Sequence, residues 1–140
     1  MKNDLIKAKE LLVNYGYTCV LCCGDKTKTS SLRGVKPLVD FYNCGDDFDG
    51  WSAADKVVGK ATAYLYVLLG IKQIYAGIIS KEAYSVLTGA GICVEYGERV
   101  EYIINRRGDG MCPFENAVMN AAGPREAYGI IVDKMKEMNL

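Results

Sequence analysis

The chain has 140 residues, of which 50% are hydrophobic and 24% charged, with 17 basic side chains against 17 acidic ones. This composition predicts a single domain over residues 1–140 that buries a self-sufficient core. A formal net charge of zero argues against nucleic-acid and membrane partners, because a nucleic-acid groove or a polybasic membrane anchor needs an excess of Lys and Arg.

Hydrophobic periodicity, turn residues and helix-breaking residues divide the chain into alternating helices and strands. In chain order, the predicted elements are helix 4–15, a β-hairpin of strands 17–23 and 27–32, helix 36–42, helix 52–69, strand 73–79, helix 81–88, strands 92–96 and 99–104 around a Gly97-Glu98 turn, and helices 113–122 and 124–138. Strands that alternate with helices and lie between terminal helices predict an α/β fold, a three-layer α/β/α sandwich with a central mixed sheet.

The long predicted helix 52–69 carries the first candidate site. Ser52 and Asp55 have the spacing of a capping box. On a helical wheel, Asp55, Lys56, Gly59 and Lys60 share one side, opposite the apolar residues that face the core. A glycine inside a helix costs about 1 kcal/mol relative to alanine, and close approach by a ligand or a backbone is the usual compensation. The face is therefore either a ligand-binding surface or a solvated face with a tolerated glycine.

Trp51 precedes this helix and follows a polar loop. It is a candidate wall of the same pocket. A hydrophobic staple at the helix start is the alternative interpretation.

The second candidate site is the segment from Met111 to Glu115. Pro113 at the first helical position makes Cys112 the N-cap and Glu115 the N3 residue. The thiol would then lie beside unpaired backbone N–H groups, which favour the thiolate. Arg106 and Arg107, just upstream, would add positive charge or hold an anion. We therefore hypothesise a reactive Cys112, and the alternative is an inert, partly buried thiol.

The sequence contains six cysteines and no histidine. The absence of imidazole excludes Ser-His-Asp triads, Cys-His dyads and His-ligated zinc. Cys19 and Cys22 lie three apart in a predicted strand, so they point to opposite faces and do not share a metal. No metal and no cofactor are expected. The first residues lack the pattern of a signal peptide, so we expect a cytoplasmic protein with free thiols.

Several motifs resemble an uncharacterised prokaryotic family whose fold is similar to that of cytidine deaminase. They are the runs Arg33–Leu38 and Ala54–Ala61, Ile79-Ser80 with Ala83 and Leu87, and Asn105-Arg106 followed by Cys112-Pro113-Phe114-Glu115. The resemblance implies a cytidine-deaminase-like domain over nearly the whole chain but no activity. Cytidine deaminases bind zinc through His or Cys and a Pro-Cys-x-x-Cys motif. This chain departs from that pattern at every metal position, which implies a zinc-free site.

Two functions are consistent with these residues. In the first, the Cys112 thiolate or the Lys56 amine attacks an electrophilic carbon of a small ligand, while Asp55 or Glu115 moves protons. In the second, the domain is a non-catalytic binding or sensor domain for an anionic metabolite. A thiol redox role ranks lower because no resolving cysteine is adjacent to Cys112.

The candidate ligand-binding residues are Trp51, Gly59, Lys60, Arg106 and Arg107. A nucleoside or nucleotide is the first guess for the ligand, because of the resemblance and these basic residues. The sequence alone does not fix an oligomeric state.

Overall fold

A computed structural model describes residues 2–105 and 107–140. The helices and strands in this part of the chain are α1 (Lys2–Tyr15), β1 (Cys19–Cys23), β2 (Lys26–Ser30), α2 (Lys36–Asn43), β3 (Ser52–Val58), α3 (Lys60–Leu69), β4 (Gln73–Ser80), α4 (Lys81–Gly89), β5 (Cys93–Val100), α5 (Pro113–Ala117) and α6 (Pro124–Glu137). None of these helices has the length and hydrophobicity that a bilayer span requires.

The strands form one mixed sheet in the order β2-β1-β3-β4-β5. β1 is antiparallel to both β2 and β3, whereas β3, β4 and β5 are parallel to one another. Helices lie on both sides of this sheet, so the predicted α/β class is confirmed.

The two faces of the sheet bury cores of different size. On one face, Ala8 and Leu12 of α1 pack against Val20, Cys22 and Ala54. The larger core occupies the other face, where α2, α3, α4 and α6 supply most of the buried helical side chains. All candidate-site helices therefore belong to the layer opposite α1.

The predicted helix 52–69 is wrong in its first half, which forms the strand β3. Residues 52–55 are all buried, since β3 lies between β1 and β4 in the middle of the sheet. This position outweighs the helical propensity of alanine and lysine. Gly59 is the N-cap of α3 in an extended conformation, with φ −96° and ψ −178°, and is not inside a helix. The predicted capping box does not exist, because the Ser52 hydroxyl accepts a 2.7 Å hydrogen bond from Gln73 of β4.

The predicted hairpin around Gly97-Glu98 is also wrong, because both residues lie within the single strand β5. β5 continues beside β4 through this point, where Glu98 pairs with Ile78. A Cβ on Gly97 would lie 2.9 Å from the carbonyl oxygen of Gly77. The glycine thus permits close passage of two strands rather than a turn.

Candidate ligand-binding site

The N-termini of α3 and α4 lie at the same edge of the sheet. α3 follows the carboxyl end of β3, and α4 follows the carboxyl end of the parallel neighbour β4. The carboxyl ends of neighbouring parallel strands are the usual place for a ligand in an open α/β sheet. Ser80 caps α4 by accepting a 3.1 Å hydrogen bond from the Ala83 N–H.

A shallow depression of about 370 Å³ lies between the first turns of these two helices. It is lined by Lys60 and Tyr64 of α3 and by Lys81, Glu82, Ser85 and Val86 of α4. A larger depression of about 460 Å³ follows α1 on the other face of the sheet and contains none of the predicted site residues. The first depression therefore defines the candidate site.

Lys60 holds a nearly buried ammonium group at the wall of this depression. The residue is only 8% exposed. Its Nζ donates a 2.8 Å hydrogen bond to the Met119 carbonyl oxygen and lies 3.8 Å from a Glu82 carboxylate oxygen. The ammonium also lies 5.9 Å from the centre of the Tyr64 ring. The ammonium is therefore held at the wall of the depression by groups from α3, from α4 and from the segment after α5.

Glu115 connects the start of α3 with the segment that follows β5. Its carboxylate accepts hydrogen bonds from the Lys60 N–H at 2.6 Å and from the Ile103 N–H at 3.3 Å. The side chain is 6% exposed and packs directly against Gly59. Glu115 is thereby engaged as a cap for α3 across 55 residues of sequence.

Asp55 is buried away from this depression, between the sheet and α3. Its Oδ2 accepts a 2.6 Å hydrogen bond from the Tyr66 hydroxyl, which in turn lies 3.3 Å from Cys19 Sγ. Its Oδ1 accepts a hydrogen bond from the Val57 N–H at 3.2 Å. Burial raises the pKa of Asp55 to about 7, although the bonds from Tyr66 and the backbone oppose this shift. Burial likewise raises the pKa of Cys19 and of Tyr66, so both stay neutral at physiological pH.

Lys56 does not join the candidate site. We expected Asp55 and Lys56 on one helix face, but both lie in β3, where adjacent residues point to opposite faces. Lys56 is exposed and Asp55 is buried. The predicted cooperation of Lys56 with Asp55 or Cys112 at a common ligand is therefore not supported by the geometry.

Trp51 is also remote from the depression. Trp51 precedes β3, whereas Gly59 follows it, so roughly 25 Å of extended chain separates the two residues. Trp51 is buried in the larger core. Its ring packs edge-on against that of Phe48, with 4.9 Å between the ring centroids. The predicted pocket wall is a core side chain.

Cys112 is the N-cap of α5, as predicted, and Pro113 is the first helical residue. The thiol makes no cap hydrogen bond, and the residue is half-buried against the larger core. Arg107 is 83% exposed and pairs with Asp109 at 3.7 Å. Arg106 lies outside the described residues.

Among the wall residues of the depression, only Lys60 was predicted, and the polar ones that were not are Lys81, Glu82 and Ser85. They lie on α4, a helix that was expected from the sequence over 81–88. The signal that points to them is their position in the first turns of α4, directly after the parallel strand β4. Lys60 holds the corresponding position in α3, after the neighbouring strand β3. This signal was missed because residues 52–58 were not recognised as a strand. Among the residues that the structure describes, no group of three or more Cys, Asp or Glu side chains is arranged to hold a metal ion.

Comparisons with known proteins identify relatives along most of the chain. The family described as "Domain of unknown function (DUF1893)" matches residues 7–135. The crystal structure of a DUF1893 family protein from Thermotoga maritima superposes with a TM-score of 0.88 at 28% sequence identity, covering 96% of this chain and 91% of that one. No match is found among proteins with curated descriptions.

Proposed function

The chain belongs to the DUF1893 family, and we propose that it is a binding domain for a small anionic metabolite. The ligand would lie in the depression between the first turns of α3 and α4. Lys60 and Lys81 would supply the positive charge of the site. The Ser85 hydroxyl, which donates to the Lys81 carbonyl at 3.3 Å, would turn to donate to the ligand. This proposal keeps the predicted role of Lys60 and assigns no catalytic step.

The observation that carries the proposal is the nearly buried Lys60 ammonium at the wall of a depression. An ammonium group has three N–H donors, of which one donates to the Met119 carbonyl. The Glu82 carboxylate lies 3.8 Å from the ammonium, as an ion pair beyond hydrogen-bond distance. The ammonium would turn from the Met119 carbonyl toward the depression to meet an anionic group of a ligand. Glu82 is the opposing feature, because its carboxylate also lines the depression and would have to move aside.

A phosphate-bearing, nucleotide-like compound is the ligand that we favour. Phosphate groups are suited to sites lined by lysines, and here Lys60 and Lys81 both line the depression. The likeness of the fold to cytidine deaminase is part of the same proposal, since that fold binds nucleosides. A cytoplasmic location is proposed as well, because six cysteines that are all unpaired suit a reducing compartment.

Titration calorimetry tests the proposal with inorganic pyrophosphate, AMP and uncharged adenosine. We expect pyrophosphate and AMP to bind and Lys60→Met to weaken both by tenfold or more. Lys72→Met is the matched control and should bind both compounds as the wild type does. The Lys72 side chain is exposed at the opposite end of the sheet, where the backbone N–H of Lys72 donates to the Trp51 carbonyl. Equal loss in both variants, or no binding by the wild type, would reject the proposal.

Cysteine chemistry at Cys112 is the second candidate, and its thiol at the N-cap of α5 without a cap hydrogen bond favours it. In that case Cys112 would act without Lys56 or Asp55, which lie elsewhere. Iodoacetamide labelling followed by peptide mass spectrometry tests this candidate. Labelling of half-buried Cys112 faster than of exposed Cys44 and Cys93 would support a nucleophile. Slower labelling would leave only the binding function.

A further inference from the structure

The segment Cys112–Ala121, which we term the strap, crosses the start of α3. It comprises α5 and the turn that follows. Two of its side chains, Phe114 and Val118, are buried in the larger core. Cys112 and Ala121, at the two ends of the strap, are half-buried against the same core. Polar contacts also hold the strap to α3.

These polar contacts converge on two residues of α3. The Lys60 N–H donates to the Glu115 carboxylate at 2.6 Å, and the Lys60 ammonium donates to the Met119 carbonyl at 2.8 Å. The Tyr64 hydroxyl donates to the Ala121 carbonyl at 3.3 Å. Both nitrogen atoms of Lys60 are therefore bonded to the strap.

The residues that hold the strap also line the candidate binding site. Lys60 and Tyr64 form the α3 wall of the depression, opposite Lys81 of α4. A ligand anion and the Met119 carbonyl would thus compete for one ammonium group. Competition for a shared donor is a direct physical route for coupling between a ligand and a segment.

We propose that an anionic ligand in the depression loosens the strap by drawing the Lys60 ammonium away from the Met119 carbonyl. This inference rests on the proposed function and adds its regulation. Phe114 and Val118 stay buried during the change, so the strap loosens without leaving the core. The released face of the strap would be the signal that the ligand is bound.

Hydrogen–deuterium exchange of the full chain, with and without saturating pyrophosphate, tests the coupling. We expect the peptide that covers 112–121 to exchange about tenfold faster with pyrophosphate, as loss of one charge-assisted hydrogen bond allows. The peptide that covers β4 should not change. Lys60→Met should show the faster strap exchange without ligand and no further response. Lys81→Met is the matched control, because it should weaken pyrophosphate binding but leave the ligand-free strap unchanged.

The reverse direction of the coupling gives an independent readout. Tyr64→Phe removes the contact with Ala121 without changing any charge, so it should tighten pyrophosphate binding about threefold by linkage. Unaltered strap exchange while calorimetry shows binding would overturn the inference and leave the proposed function intact. Unaltered strap exchange in Lys60→Met would overturn it as well. Absence of pyrophosphate binding would instead reject the proposed function together with ligand control of the strap.

Discussion

Gly59 lies so close to Glu115 that a Cβ on the glycine would fall 2.8 Å from Glu115 Cδ. Position 59 thus requires glycine, because the Glu115 carboxylate occupies the space that a side chain would need. Glu115 comes from a distant part of the chain. Since Gly59 has a negative φ, this requirement is one of space rather than of backbone conformation.

Gly59→Ala should destabilise the protein by about 1–3 kcal/mol, the usual range for overpacking. The buried Glu115 side chain has no free room, because two backbone N–H groups fix its carboxylate. Urea denaturation measures the change. Gly129→Ala in α6 is the matched control and should be neutral or stabilising, since no atom lies within 4 Å of the added carbon. A fully stable Gly59→Ala variant would show that the Glu115 carboxylate moves easily.

Asp55 should make stability depend on pH between about 4 and 8. Burial raises its folded-state pKa to about 7 from an ordinary value of 3.8. Between these values the folded state holds a proton that the unfolded chain releases, so stability falls as pH rises through 7. Cys19 and Tyr66, which face Asp55, remain neutral in this range, and the response belongs to the carboxyl group.

The Asp55→Asn variant isolates this effect. Relative to the variant, wild-type protein should lose on the order of a few kcal/mol of unfolding free energy between pH 5 and pH 8. Urea denaturation across this range measures the loss. Asp133→Asn, at an exposed position of α6, should follow the wild-type curve. Parallel curves for wild type and Asp55→Asn would contradict the prediction.

Glu82→Gln should raise the affinity for pyrophosphate two- to fivefold at low salt. The Glu82 carboxylate lines the proposed site and lies 3.8 Å from the Lys60 ammonium, where it competes with a ligand anion. Titration calorimetry at two ionic strengths is the measurement, and the gain should shrink as salt screens the charge. Glu10→Gln on α1, across the sheet, should have no effect. A weaker rather than tighter complex in Glu82→Gln would indicate that Glu82 itself binds the ligand.

Lys56→Ala should leave both the fold and pyrophosphate binding unchanged. Its side chain is exposed and leaves β3 on the face opposite to that of Asp55 and α3. Titration calorimetry with pyrophosphate measures the affinities of Lys56→Ala and Lys60→Met, two variants whose sites are four residues apart. Similar losses in the two variants would place the ligand elsewhere.

The sequence predicts the elements that have strong local signals. Helix α1, the β1–β2 hairpin, β4 and α4 are all found where periodicity and turn residues placed them. The sequence predicts a helix over Ser52–Val58 because its alanines and lysines favour helices. The segment forms a strand because it lies between β1 and β4, and this position has no local signal in the sequence. Gly97 was misassigned for a similar reason, since its role depends on the Gly77 carbonyl across the sheet.

The candidate site depends on the same long-range information. Lys60 was expected from the sequence as a ligand-binding residue, but its partners Met119 and Glu82 come from other elements. The capping of α3 by Glu115 has no local signature, because the carboxylate serves a helix far upstream. The pairing of β3 with β4 brings Lys60 and Glu82 to one edge of the sheet, and the contacts of the strap with α3 add Glu115 and Met119.

Side chains of β1 point alternately to the two faces of the sheet, so the strand places one buried cysteine in each of the two cores. Cys19 contacts Tyr66 beneath α3, whereas Cys22 lies in the small core under α1. Both are buried, so each becomes reactive only when its own layer opens. Pulsed thiol labelling can therefore time the undocking of the N-terminal helix separately from the opening of the other layer, without any introduced probe.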